Sequence, residues 1–432
     1  MKFISTSGHG LAVDLQAALL AGLAPDGGLY VPEVLPRRDL AEFDGATALS
    51  DIARVFLTPF FEADPLLADL PAICGESLAI ETPMVDVAQD TFLLELFHGP
   101  TAAFKDYGAR FLARTLGRML EASKTTTPLT ILVATSGDTG SAVAAAFHQR
   151  PGFRVVILFP EGRVSKRQAH QLGCFGDNIL ALRVPKGFDP CQALVKQAFG
   201  DAALREVVPL SSANSISLGR LLPQATYYAF ASLRHFRATG APLSFIVPTG
   251  NLGNAVAALM ARQSGLPIGR VLFATNANPT IPEFVESGDY RGRPSLSTLA
   301  NAMDVGDPSN VARLRFMLEK DHTLSGHLAA TSVDDRTIEA RIRQGEADYG
   351  RVFCPHTACA IEMLEQQRRA GADETFCVVA TAHPAKFEDV VEPLIGHAVE
   401  PPPALAAMLA RPSVSEPLDA SYESLKARLL RR

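Results

Sequence analysis

Lys105 has the neighbours that a reacting amine needs. It lies in the stretch Leu94 to Arg110, which reads L-E-L-F-H-G-P-T-A-A-F-K-D-Y-G-A-R. The apolar run from Phe92 to Phe97 predicts a short strand, and His98-Gly99-Pro100-Thr101 predicts a turn. From Ala102 onward Phe104, Tyr107, Phe111, Leu112 and Leu116 recur at helical spacing, which puts Lys105 in the first turn of a helix. A helix N-terminus and an apolar setting both disfavour an ammonium and so lower a lysine pKa. A lysine tuned in this way can attack an aldehyde as its free amine and form a Schiff base. The competing reading is a solvated surface lysine.

Other stretches could serve such an amine. Thr135-Ser136-Gly137-Asp138-Thr139-Gly140-Ser141 sits between a predicted strand and a predicted helix. Its glycines let backbone N–H groups converge and its hydroxyls add donors, which suits a carboxylate or phosphate, although a plain capped turn has the same composition. Pro248-Thr249-Gly250-Asn251-Leu252-Gly253-Asn254 repeats the strand, glycine-rich loop and helix order, and lets backbone approach a phosphate closely. It lacks the Gly-Lys-Ser/Thr ending of a Walker loop and a full G-x-G-x-x-G. Thr381, at the end of the apolar run Phe376–Ala380, could offer a neutral hydroxyl to a ring nitrogen or cap the strand. Arg163, Lys166 and Arg167 form a basic cluster that suits either a phosphorylated substrate or a solvated helix face. Cys354, His356 and Cys359 fall within six residues, but no second ligand pair accompanies them, so a loop entering a helix at Thr357 is preferred to zinc.

The elements that must hold these groups alternate. Strands are predicted over 130–135, 153–159, 178–184, 243–247, 270–275 and 376–380. Helices are predicted over 141–149, 165–172, 191–199 (capped by Asp189-Pro190), 218–236 and 255–263. Near-continuous apolar strands alternating with helices predict an α/β fold with parallel sheets covered on both faces. Ligands of such sheets gather beyond the carboxyl ends of the strands, where these motifs fall. Residues 1–80 read as a separate N-terminal unit, with helical patterns at 11–22 and 49–61 and a Pro/Gly link at 69–75.

Composition narrows the class. With 47% hydrophobic and 20% charged residues and a net charge of −6, the 432-residue chain reads as an ordinary globular protein with no bias toward nucleic acid or anionic membranes. No run is long enough to span a bilayer, no targeting pattern opens the chain, and six scattered cysteines suggest no disulfide framework, so the cytoplasm is expected.

Taken together, the chain closely resembles the threonine synthase family in its long bacterial and fungal form. The likeness rests on A-G-L-A-P-D-G-G-L-Y-V-P-E at 21–33, F-H-G-P-T-A-A-F-K-D at 97–106 and the Ser136–Ser141 loop. It continues through N-S-I-S-L-G-R-L-L-P-Q at 214–224, the Gly250–Asn254 loop and T-A-H-P-A-K-F at 381–387. The resemblance implies a fold type II pyridoxal 5'-phosphate enzyme of the tryptophan-synthase-like group, with two parallel-rich sheets and an N-terminal domain. It implies a large cofactor-binding domain of residues 81–125 and 215–432 and a small mobile substrate-binding domain of 126–214. Lys105 would carry the cofactor as a Schiff base and move protons. The cofactor phosphate would lie on Gly250, Asn251, Leu252, Gly253 and Asn254, and its pyridine nitrogen beside Thr381. Ser136, Gly137, Asp138 and Thr139 would hold the substrate carboxylate, with Arg163 and Lys166 as candidate substrate contacts. The implied reaction takes O-phospho-L-homoserine and water to L-threonine and phosphate in a monomer or homodimer. A phospholyase giving 2-oxobutyrate, a serine/threonine dehydratase and a non-catalytic phosphate- or nucleotide-binding module are the alternatives. The chain departs from the family pattern at Ser7, where S-T-R-G is usual, at Ser217 in place of Asn, and at Leu252 in place of Phe.

Overall fold

The computed structural model describes residues 1–185 and 187–431. Its strands are β1 (Phe3–Ser5), β2 (Tyr30–Pro32), β3 (Met84–Ala88), β4 (Thr91–Glu95), β5 (Leu129–Ala134), β6 (Phe153–Pro160), β7 (Ile179–Val184), β8 (Leu210–Ser211), β9 (Leu243–Pro248), β10 (Ile268–Thr275), β11 (Leu328–Ser332), β12 (Phe376–Ala380) and β13 (Glu416–Pro417). The order β11-β10-β9-β12-β4-β3 forms a six-stranded sheet, parallel except where β3 turns back on β4. The order β13-β7-β6-β5-β8 forms a parallel five-stranded sheet, and β1 and β2 make a small antiparallel pair. Every residue of β5 and of β9 is buried, as strands covered by helices on both faces must be. This is the expected α/β architecture of two parallel-rich sheets.

The helix Leu218–Thr239 runs through the middle and packs against helices Lys105–Ser123, Gly253–Gln263 and Leu49–Leu57. It is buried on all sides over most of its length, which fits its largely apolar sequence. One apolar core joins the N-terminal helices to this helix and to faces of both large sheets. The last residues return to the five-stranded sheet: β13 pairs with β7, and helix Tyr422–Leu430 packs on helix Phe188–Gly200. The resemblance implies instead that this segment belongs with the large domain of 215–432; pairing with β7 places it on the smaller sheet.

Several element boundaries differ for local reasons. The first helix begins at Leu15 rather than 11, because the Asp14 carboxylate caps it by accepting from Ala17 N at 2.8 Å. Residues 69–75 are no linker; Pro71 sits in the first turn of helix Leu70–Ser77, where its missing N–H is not needed. Pro190 plays the same part in helix Phe188–Gly200, which starts ahead of the expected Asp189 cap. The helix after the 135–141 loop starts at Asp138, so part of that loop is already helical. Cys354 caps helix Pro355–Arg369 through its sulfur, 3.5 Å from Thr357 N.

Candidate active site

The ends of β5, β9 and β12 open on one cavity of about 1180 Å³. Lys105, Ser136, Asp138, Thr139, Gly250 to Asn254 and Thr381 all line it. Lys105 is the first residue of helix Lys105–Ser123, and the corner before it is stapled to the segment after β12. Phe104 N donates to Thr381 O at 2.8 Å, His383 N donates to Ala102 O at 3.0 Å, and Ala103 bridges Ala382. Two stretches 276 residues apart, at 105 and 381, are thereby fixed to one another.

The Lys105 side chain is half-buried, and its ammonium makes no hydrogen bond or ion pair among the described residues, lying 5.4 Å from the centre of the Phe104 ring. Burial draws its pKa down to about 8; Asp138 resists that fall, and Arg220 and Lys386 add to it. The neighbouring Asp106 is fully buried and accepts from Thr101 N and Thr101 Oγ1, both at 2.8 Å. Burial lifts its carboxyl to about 6, with the Thr101 bonds holding it lower than burial alone would. Gly99 is required here, since a Cβ would collide with the Asp106 side chain.

The Gly250–Asn254 loop carries backbone donors without acceptors. None of its N–H groups donates to a protein group among the described residues, and the Asn254 Nδ2 is buried and unpartnered. Tyr227 and Tyr228 hydroxyls both donate to Asn254 Oδ1, which fixes the amide's other end. Buried donors are ordinarily paired, so this run calls for an external acceptor at the start of helix Gly253–Gln263, where a phosphate fits. Leu252 itself holds φ +60°, a left-handed conformation that a leucine rarely adopts.

The 135–141 loop works differently from its sequence reading. The Thr135 hydroxyl accepts from Gly137 N at 3.0 Å and Gly140 N at 2.9 Å, so these amides are spent inside the loop. Gly137 does not line the cavity. The Ser136 and Thr139 hydroxyls do reach it and carry no hydrogen bond among the described residues. Asp138 is tied to Lys386 Nζ at 2.8 Å and to Gln168 Nε2 at 2.9 Å. Burial works against its carboxylate, but Lys386, Lys105 and His356 together hold it well below the usual carboxylate range.

The candidate cations 163 and 166 are not brought to the cavity. Lys166 is 86% exposed and pairs with Asp389 at 3.5 Å, Arg163 is exposed, and Arg167 anchors to Ala385 O and the Glu388 carboxylate. Arg220 lines the cavity instead, from the 214–224 stretch. It is only 2% exposed and faces no carboxylate within ion-pair distance among the described residues; Nη1 donates to Ala213 O at 2.6 Å and Nε is left without a partner. Burial brings its pKa down to about 10, against the opposing pull of Asp106. His356, also on the wall, is kept neutral by burial, which pushes it down to about 4, and accepts from Ala302 N at 3.1 Å. Neither was singled out for the site from the sequence. The one signal for Arg220 was a charge inside an otherwise apolar helical run.

Comparison with known proteins identifies the family. Residues 78–382 match the model of the pyridoxal-phosphate dependent enzyme family, residues 2–78 the threonine synthase N terminus, and residues 357–428 the threonine synthase C-terminal region. The chain is 38% identical to the threonine synthase of Serratia marcescens, over 100% of this chain and 99% of that protein. It superposes on the crystal structure of threonine synthase from Escherichia coli with a TM-score of 0.91 at 37% identity, covering 100% of this chain and 99% of the other. The pyridoxal-phosphate-bound threonine synthase from Brucella melitensis gives a TM-score of 0.90 at 33% identity, covering 99% and 98%. With match and relatives extending over essentially its whole length, the chain belongs to the threonine synthase family of pyridoxal-phosphate-dependent enzymes.

Proposed function

We propose that this protein converts O-phospho-L-homoserine and water to L-threonine and phosphate, with pyridoxal phosphate carried on Lys105. The observation that supports this most directly is one cavity shared by an amine of depressed pKa and a run of backbone amides, none of them partnered among the described residues. When bound, pyridoxal phosphate supplies an electron sink beside the amino-bearing carbon of the substrate. The Gly250–Asn254 amides would hold its phosphate, and Thr381 would accompany its ring nitrogen.

The chain's own groups do the rest. Lys105 Nζ, with a pKa near 8, is part free amine at neutral pH and moves the protons at the substrate α- and β-carbons. The Ser136 and Thr139 hydroxyls bind the substrate carboxylate, and Asp138 keeps their loop in place through Lys386. Arg220, a buried cation with a free donor, holds the substrate phosphate in place of Arg163 and Lys166. By keeping the released phosphate in the cavity, Arg220 leaves an anion beside the carbon to which water adds, positioned to take a proton from that water. The five-stranded sheet region 126–214 acts as the mobile substrate-binding unit. Six free and buried cysteines suit a reducing cytoplasm, and no helix among the described residues is long and apolar enough to cross a membrane.

The test is proton NMR of the products formed from O-phospho-L-homoserine in heavy water. Threonine carrying deuterium at the α- and β-carbons is expected. 2-Oxobutyrate would move the protein to the lyase reading, and a cofactor-loaded protein that leaves the compound untouched would mean that the substrate is wrong.

A further inference from the structure

Arg313 has no exposed surface, and no carboxylate lies within ion-pair distance of it among the described residues. Its guanidinium is spent on neutral acceptors. Nε and Nη2 donate to Tyr30 O at 3.1 and 2.9 Å, Nη2 also to Ile216 O at 2.7 Å, and Nη1 to Asn310 Oδ1 at 2.7 Å. Burying a cation with no counter-charge is costly, and burial pulls its pKa down to about 9. A fully buried, un-neutralised arginine therefore needs an anion nearby or a task that only a guanidinium performs.

The contacts identify the task. Arginine can only donate, so the Asn310 atom that faces it must be the oxygen. The amide nitrogen is then turned the other way, and donates to Asn251 O at 2.9 Å and Ser215 O at 3.3 Å. Asn251 is held on its other sides as well, by Ser309 N on Oδ1 and by Ser215 Oγ beneath Nδ2, both at 2.6 Å. Its carbonyl is thus occupied, and the loop offers donors rather than an acceptor to a bound anion. The remaining bonds of Arg313 tie the first turn of its own helix, Val311–Lys320, to β2 and to residue 216, which gives the Tyr30 end of the 21–33 motif a purpose that its residue types do not suggest.

We propose that Arg313 is a positioning residue for the cofactor phosphate: through Asn310 it fixes the Asn251 carbonyl away from service as an acceptor. The inference rests on the cofactor site proposed above. Arg313 touches neither cofactor nor substrate.

The test compares two ligands on the cofactor-free, full-length protein: pyridoxal 5'-phosphate and pyridoxal, which lacks the phosphate. Arg313→Met should weaken binding of the phosphate-bearing ligand about 10- to 100-fold, the usual cost of losing an outer-shell partner, and leave pyridoxal binding as in the unsubstituted protein. The phosphorus resonance of bound pyridoxal phosphate should move as well. Arg313→Lys, which keeps the charge but not the fork, should recover part of the affinity. If Arg313→Met does not fold, Asn310→Ser breaks the relay while sparing the bonds to Tyr30 and Ile216, and the same selective loss is expected. Equal weakening of both ligands, or no change in either, overturns the proposal. An unsubstituted protein that fails to bind pyridoxal phosphate would refute the cofactor site itself and is told apart from either result.

Discussion

At Lys105 burial and charge pull in opposite directions, and burial wins: Asp138 alone would raise the pKa, yet it falls from 10.5 to about 8. The sign of the pH effect follows. Below about pH 8 the amine is protonated in both folded and unfolded chains, and the fold carries the full cost of the buried charge. Between 8 and 10.5 the fold sheds a proton that the unfolded chain keeps, so this contribution to stability rises with pH. Cofactor-free Lys105→Met should therefore be more stable than the parent below pH 8, by roughly 1–3 kcal/mol, with the gain fading toward pH 10.5. Urea unfolding of both proteins at several pH values measures it, and a difference that ignores pH would mean that the buried charge is not its source. The same variant should lack the lysine-linked chromophore when mixed with pyridoxal phosphate.

For the strand–loop–helix element of β9 and helix Gly253–Gln263, the loop backbone is what matters. A Cβ on Gly250 would lie 2.6 Å from Met303 Cα and 2.9 Å from its carbonyl oxygen, and backbone atoms cannot swing aside as a side-chain end can. Gly250→Ala should cost about 1–3 kcal/mol of stability by overpacking, and loosen the cradle against the 301–306 segment. Cofactor affinity should fall at least about tenfold while the circular dichroism spectrum stays native. An alanine variant that holds the cofactor as before would show that Met303 yields. The chain tolerates strain here already, since Leu252 keeps a left-handed φ of +60° while fully buried. A glycine would relieve that strain but leave a cavity in the wall.

On the scale of the molecule, the two large sheets meet through buried polar groups. Lys386, after β12, is 0% exposed and bonds both Asp138 at the start of the helix after β5 and Thr101 O, at 2.8 and 2.7 Å. Gln168 extends the tie from Asp138 to Asn301. Lys386→Met would leave the Asp138 carboxylate buried without its principal partner, a loss of about 3–5 kcal/mol. Because the folded Asp138 pKa is depressed, its contribution is complete above the ordinary value of 3.8 and is lost as pH falls toward the lower folded value. The parent's advantage over Lys386→Met should hold at neutral pH and shrink in strong acid, as thermal melts at pH 7 and below pH 3 would measure. An advantage unchanged in acid would mean that packing, not the ion pair, carries the effect.

Much of this was determined by the sequence alone. Apolar runs bounded by glycine and proline marked most of the sheet strands, because burial on both faces demands continuous apolar residues. Lys105, the glycine loop and Thr381, which line one cavity, were readable as candidates because they sit in short local patterns at strand ends. What the sequence did not reveal depends on distant partners. Nothing local separates Arg313 from Arg315 two residues along, or marks Lys386 as the mate of Asp138. Arg163, Lys166 and Arg167 look like an anion site in one dimension, yet Lys166 and Arg167 pair with acids after β12 and none of the three lines the cavity. The Thr135 hydroxyl claims amides that spacing had offered to a ligand. Burial and pairing decide whether a charge is structural, catalytic or merely solvated, and both are properties of the folded neighbourhood rather than of the residue type.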